Sequence, residues 1–541
     1  MKSTGFADDR TSACGSRRAG RHRKGGHRDS TAPRCGTGLV AGVAFVLTVI
    51  VTLAVGAPLR ADDKPAASPP ELPARVETRH TLNLPGQPLE YRAVAETIGL
   101  TDRKGEASAS VYTVSYLADA PAGQRRPVAF VFNGGPGAAS VFLHLGGLGP
   151  RILETPASGA APNPPVHLID NPSTWLVFTD LVFVDPVGTG FSHGKGKEEN
   201  PDKPFWNVHG DLDSLGAVVR RWLTRHERWS APVFLVGESY GGLRAAALAH
   251  SLERDVGVTV SGLVLISPAL DLAILHPDIS NTLAPAFQLP SYAAVAAALS
   301  EAASPAETGR AAEDFAMSDY LVGLAGLKGI PAAGDPFIAR IAALVGLPVE
   351  IVRRHRGRVP DRVFARELRR AQGEILSLYD ATVARAAGAS PSDDDAGDPV
   401  LAPAIAAYTA AFDSYAPEGL GYRTELPYRV LPRDVSRQWN WDGARGGEGG
   451  LGLALSSLEK TLLAHPGTKL LIANGRYDLV TPYLASRWLV DQLGLPAAVR
   501  AAIRLSVYEG GHMMYMRPKS RAALAADAAD IFAPQSAAPG R

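Results

Sequence analysis

The chain has 541 residues, a formal net charge of +1 at pH 7 and 46% hydrophobic residues. This is the composition of an ordinary globular protein, with enough apolar residues for a large core. The near-neutral charge gives no reason to expect nucleic acid as a partner.

The first 61 residues have the pattern of an export segment. Residues 1–34 are polar and basic, and residues 38–57 form an apolar run that contains only two threonines. A positive flank followed by an apolar run and small residues is typical of an export signal. At about twenty residues the run is also long enough to span a bilayer as a retained anchor. We therefore expect a periplasmic or secreted protein, with the signal either cleaved or kept as a membrane attachment through 38–57.

Both cysteines, Cys14 and Cys35, precede this apolar run. The exported part of the chain therefore contains no disulfide, no thiol nucleophile and no cysteine metal site. A Pro- and Ala-rich linker is predicted over 62–75. The fold that follows must be held together by its core alone, which is feasible at this size.

Strand and helix patterns alternate over 76–270, which favours a mostly parallel sheet with helices. Residues 90–94 and 109–117 alternate like an antiparallel hairpin. Short apolar runs, typical of buried strands, occupy 128–132, 181–184, 233–236, 263–266, 470–473 and 503–508. Helices are predicted over 212–225, 243–252 and 521–532.

Ala-rich helical segments dominate between 271 and 455, including 292–303, 336–344 and 362–387. We interpret 271–455 as a helical cap inserted into an α/β-hydrolase core. The two parts of this core are predicted at 76–270 and 456–535, and a tail at 536–541.

The stretch from Pro232 to Gly242 supplies a candidate nucleophile. It reads strand, Gly237-Glu238-Ser239-Tyr240-Gly241, helix. This G-x-S-x-G motif in a strand–turn–helix context is typical of the nucleophile elbow of an α/β-hydrolase. A short motif of this kind also occurs by chance in Gly-rich chains, so the other motifs must decide.

A serine nucleophile needs a base, and in this fold the acid and the histidine follow the serine in the chain. Asp478 comes just after the strand at 470–473, and His512 comes just after the strand at 503–508. In this hypothesis His512 takes the serine proton, and Asp478 orients and stabilises the imidazole. The alternatives are a turn-forming aspartate and a surface loop histidine.

The oxyanion of an acyl-transfer reaction needs two backbone N–H donors. Tyr240, after the serine, supplies one, and the glycines at 134–135 supply the other. Glu238 would oppose an oxyanion as a carboxylate, so we expect it to be buried, with a raised pKa, and to share a proton with a substrate carboxylate. Asn133 can donate to the same group. Ordinary turn and surface roles are the alternatives for this glycine loop, Glu238 and Asn133.

The ordered blocks at 133–137, 185–192, 237–242, 474–482 and 510–512 resemble the serine carboxypeptidase family, peptidase family S10. The resemblance implies an α/β-hydrolase fold and removal of C-terminal amino acids from peptides, without a cofactor or a metal. It implies a catalytic triad, two oxyanion donors and two residues that bind the terminal carboxylate. These are, respectively, Ser239, Asp478 and His512; Gly135 and Tyr240; and Asn133 and Glu238.

The chain departs from the family pattern at two places. The family commonly has Cys-Ser-Ser where this chain has Ala138-Ala139-Ser140, and it often has a second glutamate where this chain has Gly147. Without that second carboxyl group, the like-charge repulsion that would raise the pKa of Glu238 is lost, which argues against an acid pH optimum. The part of the chain after the apolar run has no cysteine and so lacks the disulfides of eukaryotic members; in this it resembles a bacterial branch of the family.

We therefore expect a serine-type carboxypeptidase whose partner is a peptide with a free C-terminus. An esterase or acyltransferase that uses the same triad is the first alternative, because Gly147 weakens the exopeptidase signature. A non-catalytic binding protein with a hydrolase fold is the second. Side-chain preference and oligomeric state do not follow from the sequence.

Overall fold

The structure, a computed structural model, describes residues 72–534 except 87, 120–124, 276–279, 302, 327–334, 389–396 and 442–451. These residues lie within one compact unit, Ser68–Arg541. The predicted export segment at 1–61, residues 62–71 of the predicted linker and the predicted tail at 536–541 lie outside the described residues. Within the described ranges, no helix combines the length and the apolar character needed to cross a membrane.

The centre of the fold is a twisted sheet in which antiparallel strands at one edge continue into parallel strands. The strand order is β1-β2-β3-β7-β4-β9-β10-β13-β14, with β8 beside β3. Pairing is antiparallel from β1 to β7 and parallel from β7 to β14. The described strands are β1 (Arg75–Asn83), β2 (Pro88–Thr101), β3 (Ala107–Ala118), β4 (Val128–Phe132), β5 (Arg151–Leu153), β6 (Leu168–Asp170), β7 (Asp180–Val184), β8 (His193–Gly194), β9 (Val233–Glu238), β10 (Val260–Ile266), β11 (Glu374–Leu376), β12 (Ala384–Ala386), β13 (Lys469–Gly475) and β14 (Ile503–Tyr508).

Helices cover both faces of this sheet and form most of the segment between β10 and β13. Short π-helical turns extend α1, α3 and α6 at 144–148, 252–256 and 316–320. The described α-helices are α1 (Val141–Leu143), α2 (Val208–Arg225), α3 (Tyr240–Ser251), α4 (Leu272–Leu275), α5 (Leu283–Ser300), α6 (Pro305–Phe315), α7 (Leu321–Ala325), α8 (Pro336–Val345), α9 (Val349–Arg354), α10 (Asp361–Glu367), α11 (Leu401–Glu418), α12 (Arg433–Gln438), α13 (Leu453–Ala464), α14 (Tyr483–Gln492), α15 (Ala497–Arg500) and α16 (Pro518–Phe532).

The predicted α/β-hydrolase architecture is confirmed, and the central strands show why their sequences are apolar runs. In β9, Phe234 and Val236 join one hydrophobic cluster, whereas Val233 and Leu235 join the cluster on the other face. A strand that is covered on both faces cannot alternate apolar with polar residues. The apolar runs predicted as strands at 128–132 and 503–508 have those bounds in the structure.

One predicted helix is wrong. The segment 362–387 forms only α10, which ends at Glu367, and then a hairpin of β11 and β12. Gly373 lies between them with φ +67°, a conformation that ends a helix. Backbone hydrogen bonds from Ala381 N to Tyr477 O (3.1 Å) and from Leu479 N to Leu378 O (3.0 Å) then fix the hairpin connection against the loop after β13. Local helix propensity gives way here to tertiary pairing.

The parallel register brings several loops to one end of the sheet. Ile266 of β10 pairs with Glu238 of β9 on one side and with Ala473 of β13 on the other. Gly475, at the end of β13, pairs with Tyr508, at the end of β14. The loops that follow these strands therefore converge where ligands bind in open α/β sheets.

Candidate active site

Ser239 lies at the sharp turn between β9 and α3. Its backbone angles, φ 59° and ψ −125°, are rarely adopted by a residue with a side chain. The flanking glycines allow the turn: a Cβ at Gly237 would overlap the carbonyl of Gly241, and a Cβ at Gly241 would lie 2.5 Å from Phe132 O. The G-x-S-x-G spacing thus follows from backbone packing around a half-buried serine.

Asp478 and His512 form a buried hydrogen-bonded pair at the ends of β13 and β14. Nδ1 of His512 lies 2.8 Å from Oδ2 of Asp478. The other carboxylate oxygen accepts backbone N–H groups of Val480 (2.7 Å) and Thr481 (2.9 Å). The Thr481 hydroxyl donates to Asp478 Oδ2 (2.6 Å). These bonds fix Asp478 as an acceptor and so direct the Nδ1 proton of His512 toward it.

Charge and burial act in opposite directions on His512. Burial lowers the pKa of His512, but the Asp478 carboxylate and the Glu238 carboxyl group raise it, and the net result is a pKa above the ordinary histidine value. A base of this kind holds a proton more strongly than a free imidazole does. The neutral form of His512, which could accept a proton, is therefore present only at higher pH than the neutral form of a free imidazole.

Ser267, which sequence reasoning missed, connects the loops of Ser239, Asp478 and His512. It follows β10 and is fully buried. Its hydroxyl donates to the His512 carbonyl (2.9 Å), and its own carbonyl oxygen lies 3.0 Å from the Thr481 hydroxyl oxygen. The neighbouring backbone bonds, Ser239 N to Ile266 O (2.9 Å) and Ala269 N to Ser239 O (3.0 Å), join the elbow to the same strand end. No motif marks this serine, since its role depends on three loops that are distant in sequence.

The loop after β4 lies directly against the elbow. A Cβ at Gly134 would be 2.6 Å from Tyr240 N and 2.9 Å from Ser239 Cβ, so only glycine allows this approach. Gly135 follows with φ +100°. Tyr240 N is the first amide of α3, and the first amides of a helix have no partner within it. The loop and the helix start thus bring backbone N–H groups to the side of Ser239.

A buried arginine that sequence reasoning also missed supports this loop from behind. Arg244 of α3 donates through Nη1 to Asn133 O (2.5 Å) and Gly134 O (3.3 Å). Its Nε donates to Asp211 of α2 at 2.7 Å, and both side chains are almost completely buried. The guanidinium also lies 4.9 Å from the ring centroid of Tyr240. One side chain therefore links the loop after β4, the elbow helix and α2.

Glu238 and Asn133 meet beside the elbow. Nδ2 of Asn133 donates to Oε2 of Glu238. Asn133 is itself oriented, because its Oδ1 accepts the Leu143 backbone N–H at 3.0 Å. The hydroxyl of Tyr515, a residue that the sequence did not single out, lies 2.9 Å from Oε1 and 3.0 Å from Oε2 of Glu238.

Burial raises the pKa of Glu238 to about 7, against the lowering effects of His512 and of the Tyr515 hydroxyl. This carboxyl group therefore exchanges its proton near neutral pH, and at lower pH it can donate a hydrogen bond to an anion. The expected burial and the raised pKa of Glu238 are both present; desolvation is the largest cause, and the Asp478 carboxylate adds to it.

Gly147 lies against the ring of Tyr515. A Cβ at this position would be 3.2 Å from Tyr515 Cγ. The position at which the family often has a second glutamate therefore adjoins the ring of Tyr515, and the hydroxyl of this ring bonds to Glu238.

The segment between β11 and β12 forms a wall beside His512. The ring of Tyr379 packs edge-on against the imidazole with 5.1 Å between ring centroids, and the Tyr379 carbonyl accepts the His512 backbone N–H at 2.5 Å. Asp380 forms a 2.8 Å ion pair with Arg517, which follows His512 in the chain. All sequence-predicted site residues lie at this one end of the sheet, and the inserted segment closes one side of it.

Comparison with known proteins supports the family resemblance over part of the chain. The family model for serine carboxypeptidase, Peptidase_S10, matches residues 92–274. Serine carboxypeptidase-like 5 of Arabidopsis thaliana is 27% identical over 157 residues, which are 27% of this chain and 34% of that protein. Serine carboxypeptidase-like 20 of the same plant is 32% identical over 127 residues, 23% of this chain and 24% of that protein. The matched region thus spans about a third or less of these relatives, and the expected bacterial branch stays a prediction.

A solved structure shares the fold over most of the chain. It is described as Kex1Δp, a prohormone-processing carboxypeptidase from Saccharomyces cerevisiae, and it aligns with a TM-score of 0.51 at 15% identity. The alignment covers 82% of this chain and 91% of that structure. Agreement at this level of identity establishes the α/β-hydrolase fold.

Proposed function

We propose that this protein is a serine-type carboxypeptidase that removes C-terminal amino acids from peptides. The observation that carries the proposal is the pairing of two arrangements at one sheet end. One is the hydrogen-bonded pair of Asp478 and His512, tied through Ser267 to the Ser239 elbow. The other is the buried Asn133–Glu238 pair, of which Glu238 directly precedes Ser239 in the chain. The first suits acyl transfer, and the second suits binding of a substrate carboxylate.

In this mechanism Ser239 Oγ attacks the carbonyl carbon of the last peptide bond while Nε2 of His512 takes its proton. The N–H groups of Gly135 and Tyr240 stabilise the oxyanion of the tetrahedral intermediate. The C–N bond then breaks, and His512 gives its proton to the leaving amino acid. Water attacks the acyl-enzyme with His512 again as the base, which releases the shortened peptide and restores Ser239.

The substrate's C-terminal carboxylate binds to protonated Glu238 and to the amide of Asn133. A neutral carboxyl group can donate its proton in a hydrogen bond to the substrate anion, whereas an ionised one would repel it. Recognition of the chain end by these two groups restricts cleavage to the last peptide bond.

The test compares blocked dipeptides that carry a free terminal carboxylate with the same dipeptides carrying a terminal amide. We expect the wild-type protein to prefer the free acid. Glu238→Gln should lower kcat/KM for the free acid by roughly 10- to 100-fold, the value of a hydrogen bond to a charged group, and change kcat/KM for the amide little. Ser239→Ala should abolish both activities and the labelling of the protein by a fluorophosphonate.

Two results would contradict the proposal and favour the alternatives. Cleavage of simple esters, with every free-acid peptide resistant, would indicate an esterase or acyltransferase on the same triad. Absence of fluorophosphonate labelling in the intact protein would indicate a binding protein that keeps the fold.

We also propose that the enzyme works outside the cytoplasm, exported by the basic and apolar segment at 1–57. Expression of the full chain, followed by fractionation and N-terminal sequencing, distinguishes a cleaved signal from a retained anchor. Recovery of all activity in the cytoplasm would contradict export.

A further inference from the structure

Tyr515 makes a contact that the proposed mechanism does not use. It lies on the short 3₁₀ turn Met514–Met516, just after His512, and it is fully buried. Its hydroxyl is within hydrogen-bond distance of both oxygens of Glu238, at 2.9 and 3.0 Å. A single hydroxyl proton is thus shared between the two oxygens of the carboxyl group that is proposed to bind the substrate.

We propose that Tyr515 is a positioning residue that holds Glu238 for the substrate's terminal carboxylate and controls the pH at which Glu238 gives up its proton. The inference rests on the proposed function and deepens it. In this inference the neutral hydroxyl of Tyr515 sets the pH range over which Glu238 can bind the substrate's carboxylate.

The position of Tyr515 is well determined by its neighbours. A Cβ at Gly146 would lie 2.9 Å from Tyr515 Cε2, and a Cβ at Gly147 would lie 3.2 Å from Tyr515 Cγ, so the glycine pair leaves the space that the ring occupies. Arg521 of α16 donates to the Tyr515 carbonyl at 3.2 Å. The glycine pair therefore packs against the ring, Arg521 holds the backbone, and the hydroxyl is directed at Glu238.

The charges around Glu238 give the phenol its effect. Burial holds the pKa of Tyr515 well above its ordinary value, so the hydroxyl keeps its proton and remains a donor around neutral pH. Donation from this hydroxyl favours the ionised form of Glu238 and so opposes the effect of burial. The other titratable groups that face Glu238 are His512, Asp478, Tyr379 and Tyr408.

The test measures KM for a free-acid peptide as a function of pH in wild type and in Tyr515→Phe. In wild type, KM should rise above neutral pH as Glu238 ionises. In Tyr515→Phe the low-pH KM should be about 3- to 10-fold higher, because one hydrogen bond that orients Glu238 is lost. The midpoint of the rise should move upward by about half to one pH unit, because the ionised form of Glu238 loses a donor.

Tyr112→Phe is the matched control. Tyr112 of β3 is fully buried in the same hydrophobic cluster as Tyr515, and within the described part of the chain its hydroxyl has no hydrogen-bond partner. This variant removes the same oxygen atom from the same hydrophobic cluster without removing a contact to Glu238. We expect both the low-pH KM and the midpoint to match wild type.

A double-mutant comparison shows whether Tyr515 acts through Glu238. In the Glu238→Gln background, Tyr515→Phe should leave KM unchanged and should show no pH midpoint. An unchanged or downward-shifted midpoint in Tyr515→Phe, or an equal effect of Tyr515→Phe with and without Glu238, would overturn the inference.

A fluorinated tyrosine at position 515 covers the case in which Tyr515→Phe does not fold. It keeps the shape and the hydroxyl but is a stronger donor, so the midpoint should move downward, and a midpoint that stays in place or rises would overturn the inference.

If wild type shows no preference for the free acid, both the inference and the proposed function are wrong. If wild type has this preference and Glu238→Gln loses it, but Tyr515→Phe behaves like Tyr112→Phe, only the inference is wrong.

Discussion

At the scale of single residues, the site depends on how burial and charge are balanced around His512 and Glu238. Protonated His512 lowers the pKa of Glu238, and ionised Glu238 raises the pKa of His512, because the two opposite charges stabilise each other. In the proposed mechanism the reactive form needs a neutral His512 together with a protonated Glu238. These groups therefore titrate as a pair, and a pH profile reports on the pair as a whole.

Asp478→Asn should separate the contribution of the aspartate. Loss of the orienting carboxylate should lower kcat by about 10⁴-fold, as in other serine triads. The low-pH side of the kcat profile should move to lower pH, because the Asp478 carboxylate is the largest of the effects that raise the pKa of His512 against burial. The measurement is the pH dependence of kcat on an amidated substrate, which does not need Glu238.

Asp180→Asn is the control for this prediction. Asp180 is also buried and charge-paired, with Arg126 at 2.9 Å and Arg228 at 2.5 Å, but it lies at the start of β7, away from the site. Loss of the Asp180 carboxylate should lower the free energy of unfolding and should leave the low-pH side of the kcat profile where it is in wild type. A similar shift in both variants would contradict the role of Asp478.

At the scale of elements, the active geometry depends on how α2, α3 and the loop after β4 are joined. The link is Arg244, whose planar group reaches Asp211, Asn133 and Gly134 at once. Burial raises the pKa of Asp211, and the adjacent guanidinium lowers it. A buried pair of this kind adds little net stability, but it fixes the positions of the groups that it joins.

Arg244→Lys tests this link. A lysine keeps the charge but cannot hold three acceptors in one plane, so the loop that carries Gly135 should move. A displacement of about 1 Å can lower the rate by up to about 10²-fold. We expect kcat to fall equally for free-acid and amidated substrates, in contrast to Glu238→Gln, because the oxyanion donors serve both.

The half-buried Arg221 of α2 offers a matched control, since its contacts are Gly99 O and Thr101 Oγ1 of β2. Arg221→Lys should retain wild-type kinetics. An Arg244→Lys effect confined to free-acid substrates would show that the arginine supports carboxylate binding and not the oxyanion.

At the scale of the whole molecule, the region between β10 and β13 belongs to more than one core. Helices α5 to α10 form a cluster of their own, which includes Tyr477 and Leu479 beside Asp478. Helix α11, by contrast, packs into the cluster on one face of the sheet. Its Phe412 is fully buried and stacks on Tyr428 with 3.8 Å between ring centroids. The boundaries 271–455 for a cap stay a prediction, but α11 contributes to the main core.

Phe412→Ala should destabilise the entire molecule. Removal of a buried phenylalanine costs about 3–5 kcal/mol, and the loss should lower the temperature at which activity and tertiary structure disappear together. Thermal unfolding followed by near-UV circular dichroism and by residual activity is the measurement. Val322→Ala, at a side chain that is 71% exposed, should change neither. A loss of structure in Phe412→Ala that leaves activity intact would show that α11 unfolds separately.

The amino-acid sequence by itself determined the α/β-hydrolase class, the elbow at Ser239 and the positions of Asp478 and His512 at later strand ends. These features depend on local patterns: apolar runs for buried strands, glycines where a Cβ would collide, and polar residues at the points where strands end. The roles of Asn133 and Glu238 were inferred from the residues and are also implied by the family resemblance, and they remain proposals.

Only the tertiary structure decided which other side chains reach the site. Ser267, Arg244 and Tyr515 are separated from their partners by up to 277 residues, and no motif marks them. The helix predicted at 362–387 failed for the same reason, because a loop near Asp478 pairs with that segment. Contacts between distant segments depend on the packing of the complete chain, and local sequence patterns do not contain that information.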